Sequence, residues 1–276
     1  AQRDAFRFVD ADVRDPEHLL ALFSEADTVI HLAARPGVRS SFDDPGAYVG
    51  LNVWGTAAVL EACRRAGVSR VVTASSSSVY GETVPAPFAE DARDLRPTSP
   101  YARSKLAAER VCQRHAARDG LQIAVLRFFS VYGPRQRPDQ AIMRFTHQLV
   151  GGGALERYGD GRAERDYTHV DDVVQGILRA VQWTACAAPG CEIFNIGSGR
   201  PVALEEVIAL IGRAGGAKPR IAARPEQWGD VRRTHADISK ARAILGYEPR
   251  VSIEDGIARF VTWYEDTYGF EPRATA

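Results

Sequence analysis

The sequence predicts an α/β protein built on a doubly wound parallel sheet, joined by a smaller mixed α/β lobe. Two observations predict the sheet. Apolar runs of strand length alternate with amphipathic helical segments through the first half of the chain. Those strands are apolar almost throughout, as strands covered on both faces by helices are, instead of alternating with polar residues. A third observation predicts the lobe: past Gly133 the alternation loosens into loops marked by Pro and Gly and into shorter helices. Strands that alternate with helices impose right-handed crossovers, and ligands of such sheets lie beyond the carboxyl ends of the strands.

The elements follow in chain order. FRFVDADV, 6–13, is expected as a strand, and PEHLLALFSEA, 16–26, as a short helix opening on proline. DTVIHLA is the next strand. Asp44 and Pro45 supply an N-cap and a first-turn proline for AYVGLNVWGTAAVLEACRRA, a helix of about five turns that Gly67 ends after two arginines. RVVTAS, 70–75, is a strand; Ser99 and Pro100 open a helix running through His115; LQIAVLRFF is a further strand. LEEVIALIGRA and a last helix over about 252–267 belong to the second lobe. The expected division is 1–133 against 134–276, with 166–182 and part of 190–197 returning to the first domain. With no repeat and no linker in the sequence, the two lobes are expected to share a cleft that holds substrate.

Composition narrows the function classes. The 276 residues carry 35 Lys plus Arg and 35 Asp plus Glu, so no long-range field selects nucleic acid or an anionic membrane as partner. A phosphate site must therefore be local. No apolar run approaches the roughly 20 residues of a membrane span, and the first residues carry no secretion signal, which points to the cytoplasm. The cysteines, Cys63, Cys112, Cys186 and Cys191, lack zinc-ligand spacing, so no metal is expected and all four are read as thiols.

The chemistry-bearing residues lie near expected strand ends. Tyr101 and Lys105 are four apart on one helix, so both project from the same face. That spacing alone is common. The hydroxyl-rich SSSSVYG, 75–81, follows the RVVTA strand some two dozen residues earlier, and further segments accompany it: HLAA at 31–34, LNVWGT with Asn52, RFFSVYGPRQRPD at 127–139, RDYTHVDD at 165–172 and FNIGSG at 194–199. In this order and spacing they resemble the extended branch of the short-chain dehydrogenase/reductase family, the nucleotide-sugar epimerases and dehydratases. The joint match spans nearly the whole chain and is specific.

The resemblance implies a Rossmann-like domain holding NAD, and catalysis by Ser76, Tyr101 and Lys105. A phenol of pKa near 10 is a poor base at neutral pH unless an adjacent ammonium stabilises its phenolate, a task Lys105 is spaced to perform. Ser76 is the family's hydroxyl position, four residues before the tyrosine of SSSSVYG. On the same resemblance Asp12 and Val13 meet the adenine, and Leu32, Ala33, Ala34, Asn52 and Ser75 line the cofactor. Tyr101 and Lys105 also reach the cofactor, and Phe128 flanks its nicotinamide. Ser76, Ser77, Ser130, Arg137, Arg165, Gln227 and Asp230 are implied to hold a UDP-sugar. The family's glycine-rich turn is absent from the sequence, and GDGRAERD follows no strand and cannot replace it, so an N-terminal βαβ segment preceding Ala1 is expected.

Related dehydratases and decarboxylases carry an acidic residue just after the catalytic hydroxyl, where this chain has Ser77 and Ser78. The resemblance thus implies 4-epimerisation through a 4-keto sugar. SVYGPRQRPDQAIMRF most resembles UDP-glucuronate 4-epimerases, with Arg137 and Ser130 on the sugar carboxylate. UDP-glucose 4-epimerase, another NAD-dependent nucleotide-sugar dehydratase or decarboxylase, and a non-catalytic dinucleotide-binding regulator stand as alternatives. A homodimer through the helices 45–66 and 100–116 is expected, as is common in the family.

Overall fold

Helix boundaries in this chain are set by local capping chemistry. The computed structural model describes residues 6–225 and 231–269. Asp15 caps α1 (Pro16–Phe23) by accepting from the N–H groups of Glu17 and His18. Strand β1 (Thr28–His31) follows, then the short helices α2 (Ser40–Asp43) and α3 (Pro45–Tyr48), the latter capped by Asp44 accepting from Ala47 N–H. The expected five-turn helix is present in register but not uniform: residues Val49–Trp54 form a π-helical turn before α4 (Gly55–Ala66) resumes. Gly67 ends it in the left-handed conformation at φ 76°, as its position after two arginines predicts.

Strand β2 (Arg70–Ser76) leads to α5 (Pro100–Asp119), whose N-cap Ser99 accepts from Ala102 N–H and whose C-cap Gly120 adopts φ 68°. Strand β3 is Gln122–Phe128. The chain continues through β4 (Ser130–Tyr132), α6 (Ala141–Val150), β5 (Leu155–Tyr158), β6 (Glu164–His169), α7 (Val170–Thr184), β7 (Gly190–Ile196), β8 (Pro201–Ala203), α8 (Leu204–Ala214), β9 (Ile221–Arg224) and α9 (Ile253–Tyr268).

The chain divides into two units. The first comprises 1–75, 99–125 and 181–192. Its strands take the order β1-β2-β3-β7, with β1 and β2 parallel and Ile30 opposite Val72. Val59, Leu60, Val71, Val72, Ile123 and Ala124 are among its fully buried residues. The strand expected over 6–13 is not formed: that stretch has no ladder partner among the described residues, and Phe6 and Phe8 are 75% and 79% exposed. An apolar run becomes a strand only where a neighbouring backbone completes its hydrogen bonds.

The second unit comprises 76–98, 126–180 and 193–276. It contains a three-stranded sheet of order β4-β6-β8, parallel between β4 and β6 and antiparallel between β6 and β8, and the parallel pair β5-β9. Its core gathers Tyr132, Ile142, Phe145, Leu149, Leu155, Ile211, Phe260 and Val261 from helices and strands far apart in sequence. The GDGRAERD segment, expected to follow no strand, in fact leaves β5 at Tyr158 and its last three residues open β6, so it begins no helix; its turn, 159–163, has a structural task. Gly161 and Ala163 carbonyls accept from Glu205 and Leu204 N–H, satisfying the first amides of α8, whose cap position Ala203 has no side chain to do so.

Candidate active site

The centre of the first unit is a line of side chains along one face of α5. Tyr101 and Lys105 lie one helical turn apart there. Lys105 is 6% exposed, and its Nζ donates to the carbonyl of Ala74, one residue before the end of the first unit's part of β2, at 3.0 Å. Burial lowers the Lys105 ammonium to about 8, while Glu109 and Cys112 act to raise it. Tyr101 meets the edge of the buried Tyr48 ring, centroids 6.2 Å apart. The Tyr48 hydroxyl lies 2.6 Å from Ser40 Oγ and donates to Pro36 C=O, so the loop after β1 is tied to the ring that flanks Tyr101.

A second network fixes that loop. Asn52, in the π-helical turn, accepts from Arg35 N–H at 2.7 Å through Oδ1 and donates through Nδ2 to Arg35 C=O and Ser104 Oγ. Ser104 Oγ donates in turn to Tyr101 C=O. Thr56 Oγ spends its only proton on Asn52 C=O, so the contact between His31 Nε2 and Thr56 Oγ at 3.1 Å requires His31 to carry its proton on Nε2. Burial, with the Lys105 charge, holds His31 down at about 4, so its ring is neutral at physiological pH. π-Turns of this kind concentrate at functional sites.

The residues read from the sequence as cofactor contacts fall in the first unit, apart from Phe128. Leu32, Ala33 and Ala34 form the loop that Asn52 clamps, with Leu32 and Ala33 exposed. Ser75 donates to Glu109 at 2.5 Å. Asp12 is tied to Arg14, whose guanidinium donates to both carboxylate oxygens and lowers the acid to about 2. Val13 packs over Gly55, where an added Cβ would come within 3.2 Å of its methyl.

The residues read as sugar-nucleotide contacts that can be located fall in the second unit. Ser76 Oγ accepts from Ser78 N–H and donates to Ser78 Oγ, capping the short 3₁₀ turn Ser77–Tyr80. Ser130 opens β4 opposite Tyr167. Arg165 lies on β6 opposite Val202, its guanidinium donating to Glu164 C=O. Arg137 forms a two-pronged pair with Asp139, and both side chains are solvent-exposed. Gln227 and Asp230 lie outside the described residues.

Three residues that sequence reading passed over hold these networks together. Glu109 is buried one turn beyond Lys105; its position at four-residue spacing was the available signal. Asp166, fully buried, accepts from Ser198 N–H and Oγ, Gly199 N–H and Ala236 N–H, all at 3.0 Å or less. It thereby fixes the GSG loop and the 234–236 segment beside Arg165's own position in the chain. His31 was read only as part of HLAA.

The donor set suits a dinucleotide. Lys105 makes one hydrogen bond among the described residues, although an ammonium has three donors, and the loop beside Asn52 is built of small residues with open main chain. Among the described residues no helix is long and apolar enough to cross a membrane.

Comparison with known proteins gives the family. A UDP-glucuronate 4-epimerase of Thermodesulfobacterium geofontis is 38% identical over 264 residues, covering 95% of this chain and 80% of that protein. MoeE5, solved with NAD and UDP-glucuronic acid, is 41% identical with a TM-score of 0.87, covering 95% of this chain and 86% of its own. The UDP-glucuronic acid 4-epimerase of Bacillus cereus, solved with the same pair of ligands, has a TM-score of 0.89 at 35% identity, covering 95% and 82%. The model of the NAD dependent epimerase/dehydratase family matches residues 1–197, and the chain belongs to that family.

Proposed function

We propose that this protein is an NAD-dependent UDP-sugar 4-epimerase whose substrate is UDP-glucuronate and whose product is UDP-galacturonate. The observation that carries the reading is the buried Lys105, one turn from Tyr101 and bonded to Ala74 of β2, in a chain belonging to the NAD dependent epimerase/dehydratase family. Leu32, Ala33, Ala34, Asn52, Ser75 and Lys105 would hold the cofactor. When bound, NAD supplies the reversible acceptor for hydride from the sugar carbon.

The side chains of this chain manage the proton. Tyr101, as phenolate, removes the proton from the C4 hydroxyl while Ser76 hydrogen-bonds the same oxygen. The Lys105 ammonium makes that phenolate accessible near neutral pH. The 4-keto sugar then turns over and receives hydride on its other face, with Tyr101 returning the proton. Ser77 and Ser78 put no carboxylate beside Ser76 to drive elimination.

For the sugar, oxidation at C4 of glucuronate creates a β-keto acid prone to lose carbon dioxide. A guanidinium fork on the carboxylate opposes that loss, and we assign the task to Arg137 with Ser130. Its pairing with exposed Asp139 is weak enough for a substrate carboxylate to displace. Arg165 is assigned to the diphosphate. Gln227 and Asp230 are assigned to the uridine end. The reading places the enzyme in the reducing cytoplasm, consistent with four free cysteines, and as a homodimer through α3, α4 and α5.

NMR of UDP-glucuronate and UDP-glucose incubated separately with the protein, without added reductant, tests the reading. Conversion of glucuronate to galacturonate with no carbon dioxide is the expected result, and Tyr101→Phe should slow it by about 10²–10⁴-fold. Conversion of glucose alone would overturn the glucuronate assignment. If neither sugar changes, the epimerase reading itself fails.

A further inference from the structure

We infer that Glu109 is a positioning residue for this reaction: its buried carboxylate, fixed by Ser75, keeps Lys105 in the ammonium form and holds the strand end that Lys105 binds. The inference rests on the epimerase reading above for its catalytic meaning.

Tyr101, Lys105, Glu109 and Cys112 recur at four, four and three residues along α5, one face of one helix. Glu109 is 3% exposed and Cys112 is 1% exposed. A buried carboxylate costs several kcal/mol unless it is hydrogen-bonded and compensated by opposite charge. Ser75 supplies the hydrogen bond, its Oγ donating to Oε1 at 2.5 Å. Ser75 directly follows Ala74, whose carbonyl accepts from Lys105 Nζ at 3.0 Å. One bond to Glu109 therefore anchors the peptide that Lys105 uses.

The electrostatic half follows from what else faces Lys105. On its own helix are Tyr101, Glu109 and Cys112; from β1 comes His31, and from β7 Cys191 acts on Cys112. His31 is neutral at physiological pH, and although Cys112 acts in the same direction as Glu109 on Lys105, burial pushes its thiol well up, so it stands there uncharged. Among these groups Glu109 is the carboxylate. Burial already draws Lys105 down to about 8, and removing the Glu109 charge leaves desolvation less opposed. Lys105 would then lose its proton at a lower pH, and with it the charge that stabilises the Tyr101 phenolate.

The test is the pH profile of kcat and KM for UDP-glucuronate in the full chain, with Glu109→Gln and Glu109→Asp beside the unsubstituted protein. The alkaline limb should move to lower pH by about one unit in Glu109→Gln, with KM little changed, and by less in Glu109→Asp. Thermal stability against pH reads the same titration without turnover. Because folding lowers the Lys105 pKa, stability rises with pH from the folded value toward 10.5, and in the Gln variant that rise should begin earlier. An alkaline limb and a stability rise that stay in place, with only a uniform loss of stability, would overturn the inference. An unsubstituted protein inert toward both sugars would overturn the function proposed above, while the stability profile would still decide the role of Glu109. Should the Gln variant not fold, Glu109→Asp decides by the same two measurements.

Discussion

His31 shows how a single ring reports the environment of the site. Its Nε2–H is committed to Thr56, and Thr56 is committed to Asn52, so the ring is held neutral within a chain of hydrogen bonds that ends at Tyr101. Burial, then the Lys105 charge, lowers its pKa from 6.5 to about 4. The unfolded chain therefore takes up this proton as pH falls through 6.5, while the native state resists until about 4. Stability must fall across that window, by up to about 3 kcal/mol at its acid end for a shift of this size. Urea unfolding at pH 7 and at pH 4.5 measures it. His31→Gln, which cannot titrate, should show a distinctly smaller acid loss; an equal loss in both proteins would assign the effect to other groups.

At the scale of elements, what the sequence disclosed and what it concealed separate along a physical line. The start of α5 was legible because Ser99 and Pro100 act through local backbone chemistry; its end was not, since the helix expected through His115 runs on to Asp119 before Gly120 stops it. Local chemistry was legible too at Asp44 and Gly67 around the helical stretch 45–66, and in the one-turn spacing of Tyr101 and Lys105 on α5. The π-turn around Asn52 was not legible, since the hydrogen bonds that favour it come from Arg35, Thr56 and Ser104, the last of them 52 residues away. The short strands β4, β5, β8 and β9 were missed because runs of three or four residues carry no usable period and exist through their partners. The four-residue spacing of Glu109 from Lys105 was a local signal left unread, whereas Asp166 was invisible as a site-builder because its partners lie 32 to 70 residues away. Such non-local demands are testable at Gly256 in α9, where a Cβ would lie 1.9 Å from the buried Tyr132 hydroxyl. Gly256→Ala should cost about 1–3 kcal/mol or more by overpacking. Tyr132→Phe, by removing the clashing oxygen, should recover part of that loss in a double-mutant cycle; strict additivity of the two changes would show that the helix shifts instead.

The molecule as a whole carries equal numbers of acidic and basic residues, so association between copies meets no net repulsion and depends on local surface. The helical segment 42–54 of the first unit offers such a surface: Trp54 is 68% exposed, and Phe42 and Val49 are exposed with it. Single exposed apolar residues are ordinary, but a tryptophan that exposed is uncommon on a free helix and typical of the buried centre of an interface. An isologous contact through α3, α4 and α5 would use Trp54 twice, once from each copy, so a single substitution removes two anchors. Sedimentation at micromolar concentration should therefore find a dimer, and Trp54→Glu should shift it to monomer by placing two charges in a desolvated contact. A monomeric unsubstituted protein would remove the proposed homodimer. A dimer indifferent to Trp54→Glu would move the contact to another face and leave the exposed tryptophan for a different partner.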